Sequence, residues 1–243
     1  STNTEARRLA REGAPHGTAV LAERQTAGRG RLGRSFFSPG GAGVYLSMVL
    51  RPGLSAADTA LVTPAAAVAT ARAISRAAGV EVGVKWVNDL YYAGKKLCGI
   101  LTEASGSFEM DALSSVCVGI GVNVRTRVFP EEFAACACSL YPQTVSRNRL
   151  AAEIAARLLA FAEALGERRF LPEYRARSLT TGREVAFVKD GVERRAQAVD
   201  IDGNGALLVR YPDGREEALS AGEVRLSAEV SAGSESCGGG DGR

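Results

Sequence analysis

Residues 28–34 read GRGRLGR, and this stretch decides how the rest of the chain is interpreted. It holds three glycines and three arginines and directly follows a predicted strand at 20–23. Glycine lets the backbone approach a ligand closely because it has no Cβ, and arginine supplies planar donors that suit phosphate and carboxylate. The stretch predicts a loop that closes over an anion. The alternative is a solvated surface loop whose charges bind nothing.

The same residues match the pattern G-x-G-x-x-G, which is typical of dinucleotide-binding Rossmann folds. That pattern requires a helix that begins at the third glycine and an acidic residue about 20 positions later. Gly33 is instead followed by RSFFSPGG at 34–41, and the segment VLRP at 49–52 contains no carboxylate. The context therefore excludes a Rossmann fold.

Composition narrows the class of protein. The 243 residues are 46% hydrophobic and 23% charged, as expected for one large domain or a domain with a small addition. A net charge of +3 does not predict nucleic-acid binding. No apolar stretch approaches the roughly 20 residues of a membrane span, and no signal-peptide pattern opens the chain, so we expect a cytoplasmic protein. The five cysteines form no C-x-x-C pair and the only histidine is His16, which argues against structural zinc and histidine-based catalysis.

The order of predicted elements indicates an α+β fold in which helices flank a mixed β-sheet. Alternating or continuous apolar patterns predict the strands, and alanine-rich or amphipathic patterns predict the helices. We predict strands at 18–23, 43–50, 97–103 and 115–124, and two further strands within 82–92 that are separated by the polar interruption Asn88-Asp89. We predict helices at 6–12, 58–78 and 148–165. Residues 1–180 are predicted to form one domain.

The pattern changes after Gly182. Short β-rich segments follow at regular intervals and are separated by turns that contain Asp-Gly or Gly-Asn-Gly, which is typical of a small barrel. We predict a barrel domain at 181–227. The Ser- and Gly-rich residues 228–243 predict a disordered tail.

Polar residues interrupt the apolar strands at Lys85, Asn88, Asp89, Lys96 and Asn123. Each alone is also typical of a residue at the edge of a sheet. A lysine beside a buried strand is costly unless it meets an anion. Together with the arginines of the loop, these residues suit a triphosphate or an acyl phosphate, with an aspartate that could hold Mg²⁺.

Four segments occur in a diagnostic order: STN at 1–3, ERQTAGRGRLGR at 23–34, KWVNDL at 85–90 and KKLCGIL at 95–101. Together they resemble the biotin protein ligases (biotin–acetyl-CoA-carboxylase ligases). The resemblance extends to about residue 226 and includes the hinge YRARSL at 174–179. It implies a class II synthetase-like catalytic domain followed by an SH3-like C-terminal barrel.

The resemblance implies a two-step ligation. Biotin and ATP give biotinyl-5′-AMP and pyrophosphate, with Mg²⁺ as the metal ion. A lysine of a biotin carboxyl carrier protein, or of the carrier domain of acetyl-CoA carboxylase, then attacks the adenylate. The resemblance is compatible with a homodimer and leaves the magnesium ligands unassigned.

Site residues are carried over by position. The resemblance implies catalytic roles for Arg31, Lys96 and Asp89. It implies biotin contacts for Ser1, Thr2, Asn3, Gln25, Gly28, Arg29, Gly30, Arg31, Lys96 and Gly99. It implies contacts to ATP or the adenylate for Arg29, Arg31, Phe36, Asn88, Asp89, Lys96 and Asn123. Two residues depart from the family pattern: Phe36 replaces a common tryptophan, and Val87 replaces a proline.

Other functions remain open at this point. A lipoate ligase or octanoyltransferase of the same fold would attach a different acyl group, although the loop at 28–34 and the added barrel favour biotin. A non-catalytic biotin-binding regulator of DNA is a second alternative. The sequence begins without the helix-turn-helix that some family members carry, so we expect no DNA binding by this chain.

Overall fold

The computed structural model describes residues 1–51, 59–107 and 112–226. The helices are α1 Thr2–Arg11, α2 Val62–Ala78, α3 Glu131–Ala134, α4 Arg147–Glu163 and α5 Leu171–Ala176. The strands are β1 Ala19–Ala22, β2 Gly43–Leu50, β3 Gly83–Lys85, β4 Asp89–Tyr92, β5 Lys95–Ser107, β6 Ala112–Asn123, β7 Glu184–Lys189, β8 Val192–Ile201, β9 Leu207–Arg210, β10 Glu216–Leu219 and β11 Val224–Leu226.

The first sheet has six strands in the order β1-β2-β6-β5-β4-β3. Its named strand pairs are antiparallel. Parallel pairing within the described residues is limited to two isolated bridges, Val84 with Ser178 and Lys96 with Ala137. The α+β architecture expected from the sequence is confirmed, and the parallel component of the mixed sheet is small.

Both faces of the central strand β2 are covered, because all eight of its residues are buried. Leu46 and Met48 belong to the main core with α2 and α4, whereas Val49 joins Ala6 and Ala10 of α1 in a smaller cluster. Successive strand side chains point to opposite faces, so this alternation places α1 on one face and the two long helices on the other. Burial on both faces explains why β2 reads as a continuous apolar run.

Helix α2 packs against α4 and the sheet, and six of its eleven buried residues are alanines. It begins at Val62, four residues after the predicted start at 58, and residues 52–58 lie outside the described part of the chain. Pro64 stands in the first turn, where proline is tolerated. Gly79 ends the helix in the left-handed conformation, with φ of 67°, as the sequence predicts.

The second sheet has five antiparallel strands in the order β10-β9-β8-β7-β11. Its turns use the predicted glycines, which adopt positive φ at Gly191, Gly205 and Gly214. The sheet lies within the predicted barrel domain, while the exact domain boundaries stay a prediction. The predicted tail at 228–243 lies outside the described residues. No helix among the described residues is long and apolar enough to cross a membrane.

A buried tryptophan joins the two sheets. Trp86 is 3% exposed, and its indole Nε1 donates to the carbonyl oxygen of Gly205 at 3.0 Å. Its backbone N–H donates to Thr180 Oγ1 at 3.0 Å, between the two sheets in the chain. The segment that leads to Asn88 and Asp89 is therefore held against the second sheet.

Tyr174 fixes the next residue of that segment, because its hydroxyl donates to the carbonyl oxygen of Val87 at 2.8 Å. Burial raises the pKa of Tyr174 well above its ordinary value, so the hydroxyl keeps its proton. We expect Tyr174→Phe to lower the free energy of unfolding by about 1 kcal/mol, because this hydrogen bond is lost. Urea denaturation measures this loss.

The matched control is Tyr141→Phe, since Tyr141 is 50% exposed. It is expected to change the free energy of unfolding by less than about 0.5 kcal/mol. Equal losses in the two variants would contradict a special role for the Tyr174 hydroxyl.

Candidate active site

An open cavity of about 950 Å³ lies between the N-terminus of α1, the loop at 28–34 and strands β3 to β6. Glu223 and Val224 of the second sheet also line it. The predicted site residues that line this cavity are Ser1, Thr2, Asn3, Gln25, Arg29, Gly30, Arg31, Phe36, Asn88, Asp89, Lys96 and Gly99. Gly28 does not line this cavity, and Asn123 lines a second, neighbouring cavity.

The N-terminal end of α1 is tied to Gln25, which lies between β1 and the loop. Ser1 caps the helix, since its Oγ accepts a hydrogen bond from the N–H of Asn3 at 3.2 Å. Gln25 Oε1 accepts from the backbone N–H of Thr2 at 2.8 Å, and Gln25 Nε2 donates to Ser38 Oγ at 2.8 Å. The cap and these hydrogen bonds therefore place the side chains of Ser1, Thr2 and Gln25 at one end of the cavity.

Backbone hydrogen bonds close the loop on itself. The N–H of Gly30 donates to the carbonyl of Arg34 at 2.7 Å, and that of Phe36 donates to Gly28 at 3.0 Å. A Cβ at Gly28 would lie 2.2 Å from the carbonyl oxygen of Phe36, so only glycine fits there. Gly28 acts on the site by allowing this close approach, and its neighbours Arg29 to Arg31 reach the cavity wall.

Asp89 and Lys96 form an ion pair on the wall of the cavity. Lys96 Nζ lies 2.7 Å from Asp89 Oδ2, and the two side chains are 19% and 22% exposed. Asp89 begins β4 and pairs with both Lys85 and Gly99, whereas the sequence predicted a polar break between strands at this point. The register of neighbouring strands therefore sets the position of this ion pair.

Arg31 crosses the mouth of the cavity. Its Nη1 donates to Asn88 Oδ1 at 2.8 Å, and its Nη2 donates to the carbonyl of Gly222 at 2.6 Å. Asn88 in turn donates from Nδ2 to the carbonyl of Ile100 at 2.9 Å. The arginine thus links the loop to both sheets, as a side chain that covers a bound ligand would do.

A second cavity of about 370 Å³ adjoins the first and shares Phe36 and Lys96 with it. Phenylalanines dominate its wall, and Phe37 stacks on Phe133 with ring centroids 6.5 Å apart. A Cβ at Gly121 would lie 2.5 Å from the ring of Phe36, so this glycine makes room for the ring between the cavities.

Asn123 supplies the polar group of this second cavity. The residue is 5% exposed and donates from Nδ2 to the carbonyl of Cys138 at 3.1 Å. Its Oδ1 is buried and has no hydrogen-bond partner in the described part of the chain. An unsatisfied buried acceptor costs about 1–3 kcal/mol, which an N–H donor of a ligand would offset.

Cys98 lies beside the Asp89–Lys96 pair and is fully buried. Burial raises the pKa of its thiol far above the ordinary value, and the charge of Asp89 adds to that effect. The thiol therefore stays protonated and cannot serve as a nucleophile. Cys98 and Cys117 are both core residues, because each has an exposed fraction of 0%.

Sequence patterns missed several residues of the site, and the most important are acidic. Glu103 receives hydrogen bonds from Asn3, Arg7 and Arg29. Glu223 forms an ion pair with Arg34 at 2.6 Å from 189 residues away along the chain. No local pattern marks such distant partners, although the arginines of the loop indicate that acceptors must exist.

We expect Glu223→Gln to speed tryptic cleavage after Arg31 and Arg34 by about 2- to 5-fold, because a partly exposed ion pair contributes up to about 1 kcal/mol. Mass spectrometry of timed digests measures this rate. Glu216→Gln is the matched control, since Glu216 pairs with Arg210 on the outside of the same sheet. Equal cleavage rates in wild type and Glu223→Gln would show that the ion pair of Glu223 with Arg34 does not restrain the loop.

Comparison with known proteins reveals relatives along most of the chain. The model of the biotin/lipoate A/B protein ligase family matches residues 1–123, and that of the biotin protein ligase C terminal domain matches residues 180–227. The chain is 37% identical over 235 residues to the bifunctional ligase/repressor BirA of Bacillus subtilis, covering 91% of this chain and 70% of that protein.

Two further relatives extend the likeness. The biotin–acetyl-CoA-carboxylase ligase of Mycobacterium tuberculosis is 35% identical over 248 residues, with 92% of this chain and 85% of that protein covered. The biotin protein ligase of Aquifex aeolicus, solved in complex with biotin and ATP, superposes with a TM-score of 0.76 at 28% identity, covering 91% of this chain and 93% of that one. With both family models matched in chain order, the chain belongs to the biotin protein ligase family.

Proposed function

We propose that this chain activates biotin with ATP and then transfers the biotinyl group to a lysine of a biotin carboxyl carrier domain. One observation carries the proposal: Lys96 lines both cavities and lies at their junction. A carboxylate that enters from the first cavity and a nucleotide that occupies the second would meet at its ammonium group.

The first step joins two anions, so it needs cations at the junction. An oxygen of the biotin carboxylate attacks the α-phosphorus of ATP, and pyrophosphate leaves. Lys96 and Arg31 line the cavity where the charge develops and would stabilise it in the transition state. Asp89 holds the ammonium of Lys96 in place through the 2.7 Å contact.

The second step needs no nucleophile from this chain. The ε-amine of the carrier lysine attacks the acyl carbon of the adenylate, and AMP leaves. The protonated state of the Cys98 thiol agrees with this route. A loop closed over the adenylate would keep water away from a reactive anhydride.

The second cavity suits the adenine base. The ring of Phe36 offers a stacking surface, and the unpartnered Oδ1 of Asn123 can accept a hydrogen bond from the exocyclic amine. Asn88 and Asp89 line the first cavity near Lys96 and would face the phosphates.

Mg²⁺ fits this arrangement as a companion of ATP. Among the described residues no three His, Cys, Asp or Glu side chains are grouped as a metal site. Mg²⁺ is commonly held by one or two carboxylates together with substrate phosphates. Asp89 would supply a carboxylate here, and the bound ion would offset phosphate charge.

Three further predicted contacts line the first cavity. Thr2, Asn3 and Gln25 lie there, fixed by the hydrogen bonds at the start of α1. Their polar groups would bind the ureido ring of biotin, while the carboxylate end would extend toward Lys96.

The test supplies radiolabelled biotin, ATP, Mg²⁺ and the carrier domain of an acetyl-CoA carboxylase, with lipoate and octanoate in parallel. We expect label on the carrier only with biotin and ATP, and none when the acceptor lysine of the carrier is changed to arginine. Label from lipoate or octanoate in preference to biotin would overturn the assignment, as would the absence of transfer from any of the three acids.

A further inference from the structure

Glu103 connects α1 to the loop at 28–34, and both of these segments line the first cavity. Its carboxylate accepts from Asn3 Nδ2 at 2.6 Å and from Arg7 Nη1 at 3.0 Å. Arg29 of the loop binds the same carboxylate in a bidentate manner, at 3.0 and 3.1 Å. The side chain is 19% exposed and does not itself line the cavity. Any effect of Glu103 on a ligand must therefore pass through its neighbours.

The carboxylate fixes which way the Asn3 amide points. An ionised carboxylate only accepts hydrogen bonds, so the amide must turn its NH₂ group toward Glu103. Asn3 is 3% exposed, and its Oδ1 has no hydrogen-bond partner within the described ranges. The opposite end of the amide is thus a buried acceptor held in one orientation.

Gly119 lies directly beside that acceptor, because its missing side chain lets the Asn3 amide pack against the strand. A Cβ at Gly119 would lie 3.0 Å from Asn3 Oδ1, and both residues line the cavity. An unpartnered acceptor on a residue that lines the cavity is complementary to a ligand that carries an N–H donor. It offers nothing to a purely aliphatic or disulfide-containing head group.

We propose that Glu103 is a positioning residue that holds Asn3 as an acceptor for an N–H group of the ligand and thereby selects the acid that is activated. The inference rests on the proposed function, since biotin carries ureido N–H groups whereas lipoate and octanoate carry no such donor on their chains. Because Arg29 shares the carboxylate, the same residue also ties the loop to the end of the cavity that recognises the ligand.

The test compares Glu103→Gln with wild type in steady-state adenylation. A glutamine side chain has the same shape but both donates and accepts, so it no longer imposes one orientation on Asn3. We expect the KM for biotin to rise about 10-fold, with the KM for ATP changed by less than about 2-fold. Wild type should discriminate against biotin methylated at a ureido nitrogen more strongly than the variant does.

A double-mutant cycle separates positioning from general damage. In an Asn3→Ala background, Glu103→Gln is expected to change the KM for biotin by less than about 2-fold, because the residue it acts through is gone. Glu12→Gln is the matched control, since Glu12 forms an exposed ion pair with Arg8 at the C-terminal end of α1, the helix that carries Asn3. It should leave both KM values unchanged.

An unchanged KM for biotin in Glu103→Gln would overturn the inference, and so would equal increases in the KM values for biotin and ATP. If that variant does not fold, Glu103→Asp replaces it, because the shorter side chain keeps the charge but withdraws it from Asn3, and the same rise is expected. Wild type that uses lipoate or octanoate instead of biotin would overturn the proposed function and the role of Glu103 with it. If wild type uses biotin and Glu103→Gln has the same KM for biotin as wild type, only the role of Glu103 is overturned.

Discussion

The ion pair between Lys96 and Asp89 is the constraint around which the site is arranged. Both side chains are largely removed from water, and an unpaired ammonium in that position would be costly. Strands β4 and β5 are neighbours in the sheet, so the strand register brings the two groups to 2.7 Å. A ligand that brings its own negative charge can share this ammonium without leaving a charge unpaired.

The arginines of the loop are also paired with acceptors. Arg29 binds Glu103, Arg31 binds Asn88 and the carbonyl of Gly222, and Arg34 binds Glu223. Each guanidinium is thus bound by at least one acceptor that is distant from the loop in sequence. The stretch that first suggested an anion-binding loop is a compact turn whose cations are already ordered, and the barrel contributes to that order through Gly222 and Glu223.

Local patterns were sufficient to predict much of the architecture. Apolar strands with polar interruptions indicated Lys96 and Asp89, and the Asp-Gly turns indicated the second sheet. Glu103 and Glu223 could not be found in this way, because their partners Arg29 and Arg34 lie 74 and 189 residues away. Asn123 was expected in the nucleotide site. The cavity that it lines is formed in part by Phe129 and Phe133, and the stretch between them has no hydrophobic periodicity from which this cavity could be predicted.

The position of Lys96 at the junction of the two cavities is the central requirement of the proposed reaction, and removal of its ammonium group is the most direct test. In single-turnover experiments with biotin and ATP, Lys96→Gln is predicted to slow pyrophosphate release by about 10²- to 10³-fold, because a donor to the developing charge is lost. The urea midpoint of the variant should show that it remains folded. A rate within about twofold of wild type would contradict the claim that the two substrates meet at this ammonium.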